Sequence, residues 1–380
     1  MTAIDKQDGD DRHDQWHGDD RCDGTEGRSA PMSLTAGGPR FDPATALGWH
    51  DVGLDGLSCF LRCVEAVLAH HGRSAREIAA SLATPLDLAR SDTGRGPFGD
   101  FPGCRLEWRT MPGGIGWDEV ATLLGQHRYP VLSPNGRHWP GDEFNGVAAA
   151  HHHMVLAVRL GDGVLEVLDT DASPDDGFRR SLPLTDSLRR AFDRVALIEP
   201  RPVPQDDDPA ATAGRLLDRS TDRLAADLSE LAGFRSLWLR QPLPETLARG
   251  LHVFVLGDVQ PQLFTLARAL DFQAPPELRP VVEALETAAK RAKKLGIMLT
   301  GLHRFRSRQV YTLCLEEFEA LEDALHSVLA ALSAHAGRAE PPTAPTEPRR
   351  LADRLADVTK WSFGQPTQDT LRWFTTPYAA

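Results

Sequence analysis

The residues best suited to chemistry in this chain are Cys59, His153 and Asp169, in that order. Cys59 heads the stretch GLSCFLRCVEAVLAHHG (56–72), which reads as a loop, a cysteine and then a buried amphipathic helix ended by Gly72. A helix N-terminus offers unpaired backbone N–H groups and a partial positive charge. Both favour a thiolate and can hold a developing oxyanion. With an imidazole to carry the proton and a carboxylate to orient it, this is the equipment of thiol-dependent acyl transfer.

Two strands must bring the other two groups to the thiol. His153 lies in HHHMVLAVRL (151–160) and Asp169 in GVLEVLDTD (163–171), with Gly161-Asp162-Gly163 between them as a hairpin turn signal. Paired strands of this length set a histidine at the start of one beside an aspartate at the end of the other. The aspartate then fixes the imidazole tautomer. Side chains alternate along a strand, so at most two of His151, His152 and His153 share a face. His153 is the expected base and His152 the alternative. Asp169 is the expected carboxylate, with Asp171 on the same face as the alternative. A strand-end aspartate also caps turns, and a free cysteine is more often simple packing. Cys59 is set apart by standing at a helix start, whereas Cys63, one turn on, reads as a packing residue.

The spacing of Cys59, Cys63 and Gly72, the His-x-Val-Leu pattern at His153 and the placement of Asp169 resemble a known group. They are similar to the core of the bacteriocin-processing cysteine peptidases, and equally to the N-terminal domain of the butirosin-biosynthesis H-type acyltransferases. The resemblance covers residues 45–200. It implies an α+β fold: a papain-like, cysteine-peptidase-like core with an antiparallel sheet and a nucleophile helix, followed here by a mostly helical C-terminal region. It also implies that Cys59 is the nucleophile. The peptidases usually carry Gln six residues before the nucleophile, where this chain has Gly53, and Pro after the aspartate, where it has Thr170. Because oxyanion stabilisation is often the largest catalytic term, the first departure favours acyl transfer over proteolysis. The resemblance then implies an acyl carrier protein thioester as donor and a small amine or hydroxyl as acceptor. No metal or organic cofactor is required beyond the donor's own phosphopantetheine arm. A cytosolic peptidase using the same residues, and a catalytically silent scaffold, are the alternatives.

Composition sets the remaining bounds. A chain of 380 residues, 41% hydrophobic, is long enough for two domains and a sizeable core. No run of about eighteen apolar residues occurs, and the first residues lack the apolar segment of a signal peptide, so a cytoplasmic protein without a membrane partner is expected. Five cysteines at irregular spacing imply no disulfide framework. A net charge of −12 argues against nucleic-acid binding.

Residues 1–45 have the composition of a disordered acidic tail. Their His13, His17, Asp19, Asp20 and Cys22 lack the spacings of a metal site. The expected catalytic domain is 46–200. It holds a helix or two over 74–92, a Gly/Pro-rich loop at 94–103, strands at 106–110 and 129–133, and a helix from Trp117 to Gln126. Pro-rich segments at 201–210 and 339–348 read as linkers around a helical domain at 211–338, and 349–380 as a C-terminal helix and tail. Lys290, Arg291, Lys293, Lys294, Arg304, Arg306 and Arg308 form a basic patch suited to an acidic carrier protein, although most such runs are solvated faces.

Overall fold

The computed structural model describes residues 58–89, 101–139, 150–151, 153–170, 172, 178–202, 209–273, 276–305, 307–337 and 350–364. They form a mixed α/β structure with an antiparallel sheet and a helical C-terminal region. The expected tail at 1–45, Gly53, His152, Asp171 and the 339–348 linker lie outside the described residues.

Helix α1 spans Cys59–His70. Ser58 caps it, its side chain accepting the Leu61 N–H at 3.3 Å. Gly72 closes it with φ +80°, a conformation that suits a residue without Cβ. Phe60, Leu61, Cys63, Val64, Ala66, Val67 and Leu68 are all buried, so apolar contact surrounds the helix on nearly every side. Helix α2 (Ala75–Leu82) follows, held by a capping box between Ser74 and Glu77.

Among the described residues the sheet has six strands: β1 (Cys104–Thr110), β2 (Pro130–Ser133), β3 (Val155–Gly161), β4 (Val164–Leu168), β5 (Arg179–Pro183) and β6 (Arg194–Pro200). Their order is β1-β6-β2-β3-β4-β5, antiparallel throughout. Side-chain alternation divides the core in two. Val131, Leu156, Leu168, Ala196 and Ile198 pack with α1 and α2. Leu132, Val155, Ala157, Val167, Val195 and Leu197 pack on the other face with helices α3 (Trp117–Gly125) and α4 (Asp186–Ala191).

Asp162 (φ +54°) and Gly163 (φ +75°) join β3 to β4, and two positive φ values in a two-residue loop match the right-handed twist of the strands. A bulge between Ala157 and Arg159 shifts the register, so that Leu160 pairs with Leu165 but Leu156 with Leu168.

Beyond the sheet come α5 (Pro209–Arg240), α6 (Glu245–Phe254), α7 (Gln260–Gln273), α8 (Arg279–Phe305), α9 (Arg308–His335) and α10 (Arg350–Phe363). The helix expected from 211 thus starts at Pro209, inside the stretch that composition marks as linker, because proline is well tolerated in the first turn. Leu86, Leu88 and Ala89 belong to this helical core. Helical side chains satisfy the backbone there: Ser220 Oγ accepts the Leu86 N–H at 2.9 Å and Asp227 Oδ2 the Leu88 N–H at 2.7 Å. All described residues fall within one compact unit.

Candidate functional site

The structure brings Cys59, His153 and Asp169 together where the first turn of α1 meets the start of β3 and the end of β4. Cys59 is the first residue of α1, so its N–H is one of the amides for which the helix has no internal acceptor. His153 and Asp169 stand just outside their strands, since β3 begins at Val155 and β4 ends at Leu168. Freed from the ladder, their side chains meet: His153 Nε2 lies 2.8 Å from Asp169 Oδ1. The Cys59 side chain is close enough to the imidazole to favour its charged form. With Nε2 engaged by the carboxylate, Nδ1 is the ring nitrogen left to face the sulfur.

Both members of the His–Asp pair are buried, Asp169 to 1% exposure. Burial pulls the His153 proton affinity down, but the hydrogen bond to Asp169, the nearness of Cys59 and the attraction of both groups raise it further, leaving the imidazole well above its ordinary range. The pair is built to hold an imidazolium. Cys63 behaves oppositely: burial, then the proximity of Cys59 and Asp169, push its thiol well up and keep it neutral.

A further layer fixes Asp169. Its N–H donates to the Phe178 carbonyl at 2.8 Å, and its carbonyl accepts the Ala172 N–H at 3.0 Å. Arg180, on β5, reaches Asp169 Oδ2 at 3.3 Å. The Arg180 guanidinium also lies 5.2 Å over the ring of buried Trp139, which holds it in place. Phe178 has φ +58°, costly for an aromatic residue, and this strained turn aims its carbonyl at Asp169. Sequence reasoning missed Arg180, Trp139 and Phe178. Arg180 sits in an alternating strand where arginine ordinarily marks a solvated face, and nothing flags Phe178 as left-handed. Ser58 did carry a signal, a capping residue directly before an apolar periodic run.

Among the described residues no group of three or more His, Cys, Asp or Glu is arranged to hold a metal, and no helix is long and apolar enough to cross a membrane. Part of the basic patch is engaged internally: Arg291 Nη1 lies 3.2 Å from buried Glu317, whose second oxygen pairs with Lys294. The side chains of Arg304 and Arg306 lie outside the described residues.

No model of a known protein family matches the chain, and no curated protein matches it.

Proposed function

We propose that the chain is a cysteine-dependent acyltransferase with a papain-like catalytic core. The observation that carries the proposal is a thiol at a helix N-terminus beside an imidazole whose far nitrogen is held by a buried carboxylate at 2.8 Å.

In this scheme the Cys59 thiolate attacks the carbonyl carbon of an acyl thioester carried on a protein-bound phosphopantetheine arm. The Cys59 N–H faces the oxyanion of the tetrahedral intermediate. As that intermediate collapses, the imidazolium gives its Nδ1 proton to the departing thiol, leaving an acyl-Cys59 thioester and a neutral imidazole. The acceptor amine or hydroxyl then loses a proton to Nδ1 as it attacks the acyl carbon, and Cys59 leaves as the thiolate. Asp169 keeps the Nε2 proton and stabilises the imidazolium in each half-reaction. A thioester is already activated, so the scheme calls for no metal or organic cofactor. The part of the α8 basic run that Glu317 does not engage, where Lys290 stands exposed, supports an acidic carrier protein as the partner.

Intact-protein mass spectrometry after incubation with an acylated carrier protein tests the proposal. The expected result is a mass increase equal to the acyl group, absent in Cys59→Ala. Cleavage of a peptide library without acylation supports a peptidase instead, and inertness in both assays supports a silent scaffold.

A further inference from the structure

We infer that Trp361, near the end of the C-terminal helix, is a positioning residue that braces the nucleophile and the base against each other. Its ring centroid lies 5.7 Å from that of Trp108 on β1, and Trp108 stacks at 5.6 Å on Phe60, the residue directly after Cys59. On another side the ring lies 5.9 Å from His151, two residues before the base. The Arg194 guanidinium covers the ring at 4.6 Å and donates to the Trp361 carbonyl. The His151 N–H donates to the neighbouring Ser362 carbonyl at 2.7 Å. One side chain thus touches the supports of both reacting groups.

The other end of α10 is anchored deep in the helical core. Arg354, 3% exposed, makes two bonds to Asp258, Nε to Oδ2 at 3.0 Å and Nη2 to Oδ1 at 2.8 Å. Asp258 sits in a π-helical turn (Val255–Val259) between α6 and α7, a local irregularity that places its carboxylate beside α10. The Leu351 N–H donates to Glu230 of α5 at 2.8 Å. Helix α6 approaches so closely at Gly250 that a Cβ there would lie 1.9 Å from Thr359 Oγ1. With its first turns fixed in this way, α10 presents Trp361 to the sheet as a rigid stop. His151 and His153 precede β3 outside the ladder, so their placement depends on contacts of this kind.

The inference rests on the Cys59–His153–Asp169 centre but not on the substrate. Its test is the rate of Cys59 alkylation by iodoacetamide, measured on the full chain from pH 4.5 to 9 beside a thermal melt. Among the described residues, the charged and titratable groups around the centre include Cys59, Cys63, Arg62, Asp169 and Arg180, and those around the Trp361 ring include Arg194 and His151, with Asp193 beyond His151. Wild type and His153→Ala are compared first. If they react alike, the catalytic centre itself is misassigned, and the inference falls with it. If they differ, Trp361→Ala is expected to slow alkylation at pH 6 by about tenfold or more, since ångström-scale misplacement costs up to ~100-fold, and to change the shape of the pH profile. Trp361→Phe, which keeps a ring, is expected to restore most of the rate. A wild-type profile in Trp361→Ala, whatever its melting temperature, overturns the inference while leaving the centre intact. Should Trp361→Ala not fold, Arg194→Gln removes the ring's cover and the carbonyl's donor without opening the core. It is expected to shift the profile in the same direction, and an unchanged profile is again the contrary result.

Discussion

Glu65 is the polar residue buried in the otherwise apolar middle of α1, and replacing it with glutamine tests how that helix is held. Its side chain is 5% exposed, and among the described residues its Oε2 has no hydrogen-bond partner. Burial raises its proton affinity, nearby Arg62 and Arg268 offset only part of this, and the result moves from 4.5 to about 7. At ~1.4 kcal/mol per tenfold change in proton affinity, that difference corresponds to about 3 kcal/mol. The folded protein therefore binds a proton here that the unfolded chain releases above pH 4.5. The stability contributed by the protonated acid is full below pH 4.5 and is lost as pH rises through about 7. Glu65→Gln removes this dependence, because an amide stays neutral in both states. Urea unfolding of both proteins at pH 4.5 and pH 8 reads the effect. The variant is expected to gain about 3 kcal/mol on wild type between the two pH values, all other titrations cancelling in the difference. A stability difference that stays constant within about 0.5 kcal/mol refutes the reasoning, because it means that Glu65 is ionised at little cost.

Two further substitutions probe the site and its frame. Asp169→Asn removes the anion that raises the His153 proton affinity, so the imidazolium becomes easier to deprotonate. A hydrogen bond to a charged group is worth about 1.5–3 kcal/mol, which predicts Cys59 alkylation at pH 6 slowed about ten- to hundredfold. An unchanged alkylation profile contradicts the assignment of Asp169. Gly250→Ala forces a methyl into the space of Thr359 and is expected to cost about 1–3 kcal/mol in urea unfolding, whereas a neutral result means that α6 and α10 can separate freely.

Where periodicity and capping agreed, the fold was legible in the sequence. Cys59 at its head and Gly72 at its end frame a helix with apolar residues at the required intervals, and Asp162-Gly163 supplies the positive φ pair of a tight hairpin. Strand β6 carries no such signal, although it lies inside the sheet between β1 and β2. Its run Val195-Ala196-Leu197-Ile198 is buried on both faces and therefore shows no alternation. The bulge in β3 leaves no mark in residue types at all.

The site divides in the same way. Cys59, His153 and Asp169 are residue types that announce chemistry, and their order and spacing could be read. Nothing local relates Arg180 to Asp169 or Trp361 to His151, because those contacts exist only after β5 and α10 have packed.

In the proposed mechanism, His153 controls the reactivity of Cys59. The decisive measurement is the pH profile of single-site alkylation, located by peptide mass spectrometry, in wild type, Cys59→Ala and His153→Ala. The predicted result is fast modification confined to Cys59 and persisting below pH 7 in wild type, abolished in Cys59→Ala and lost at low pH in His153→Ala. Equal low-pH reactivity with and without His153, or modification at another cysteine in place of Cys59, contradicts it.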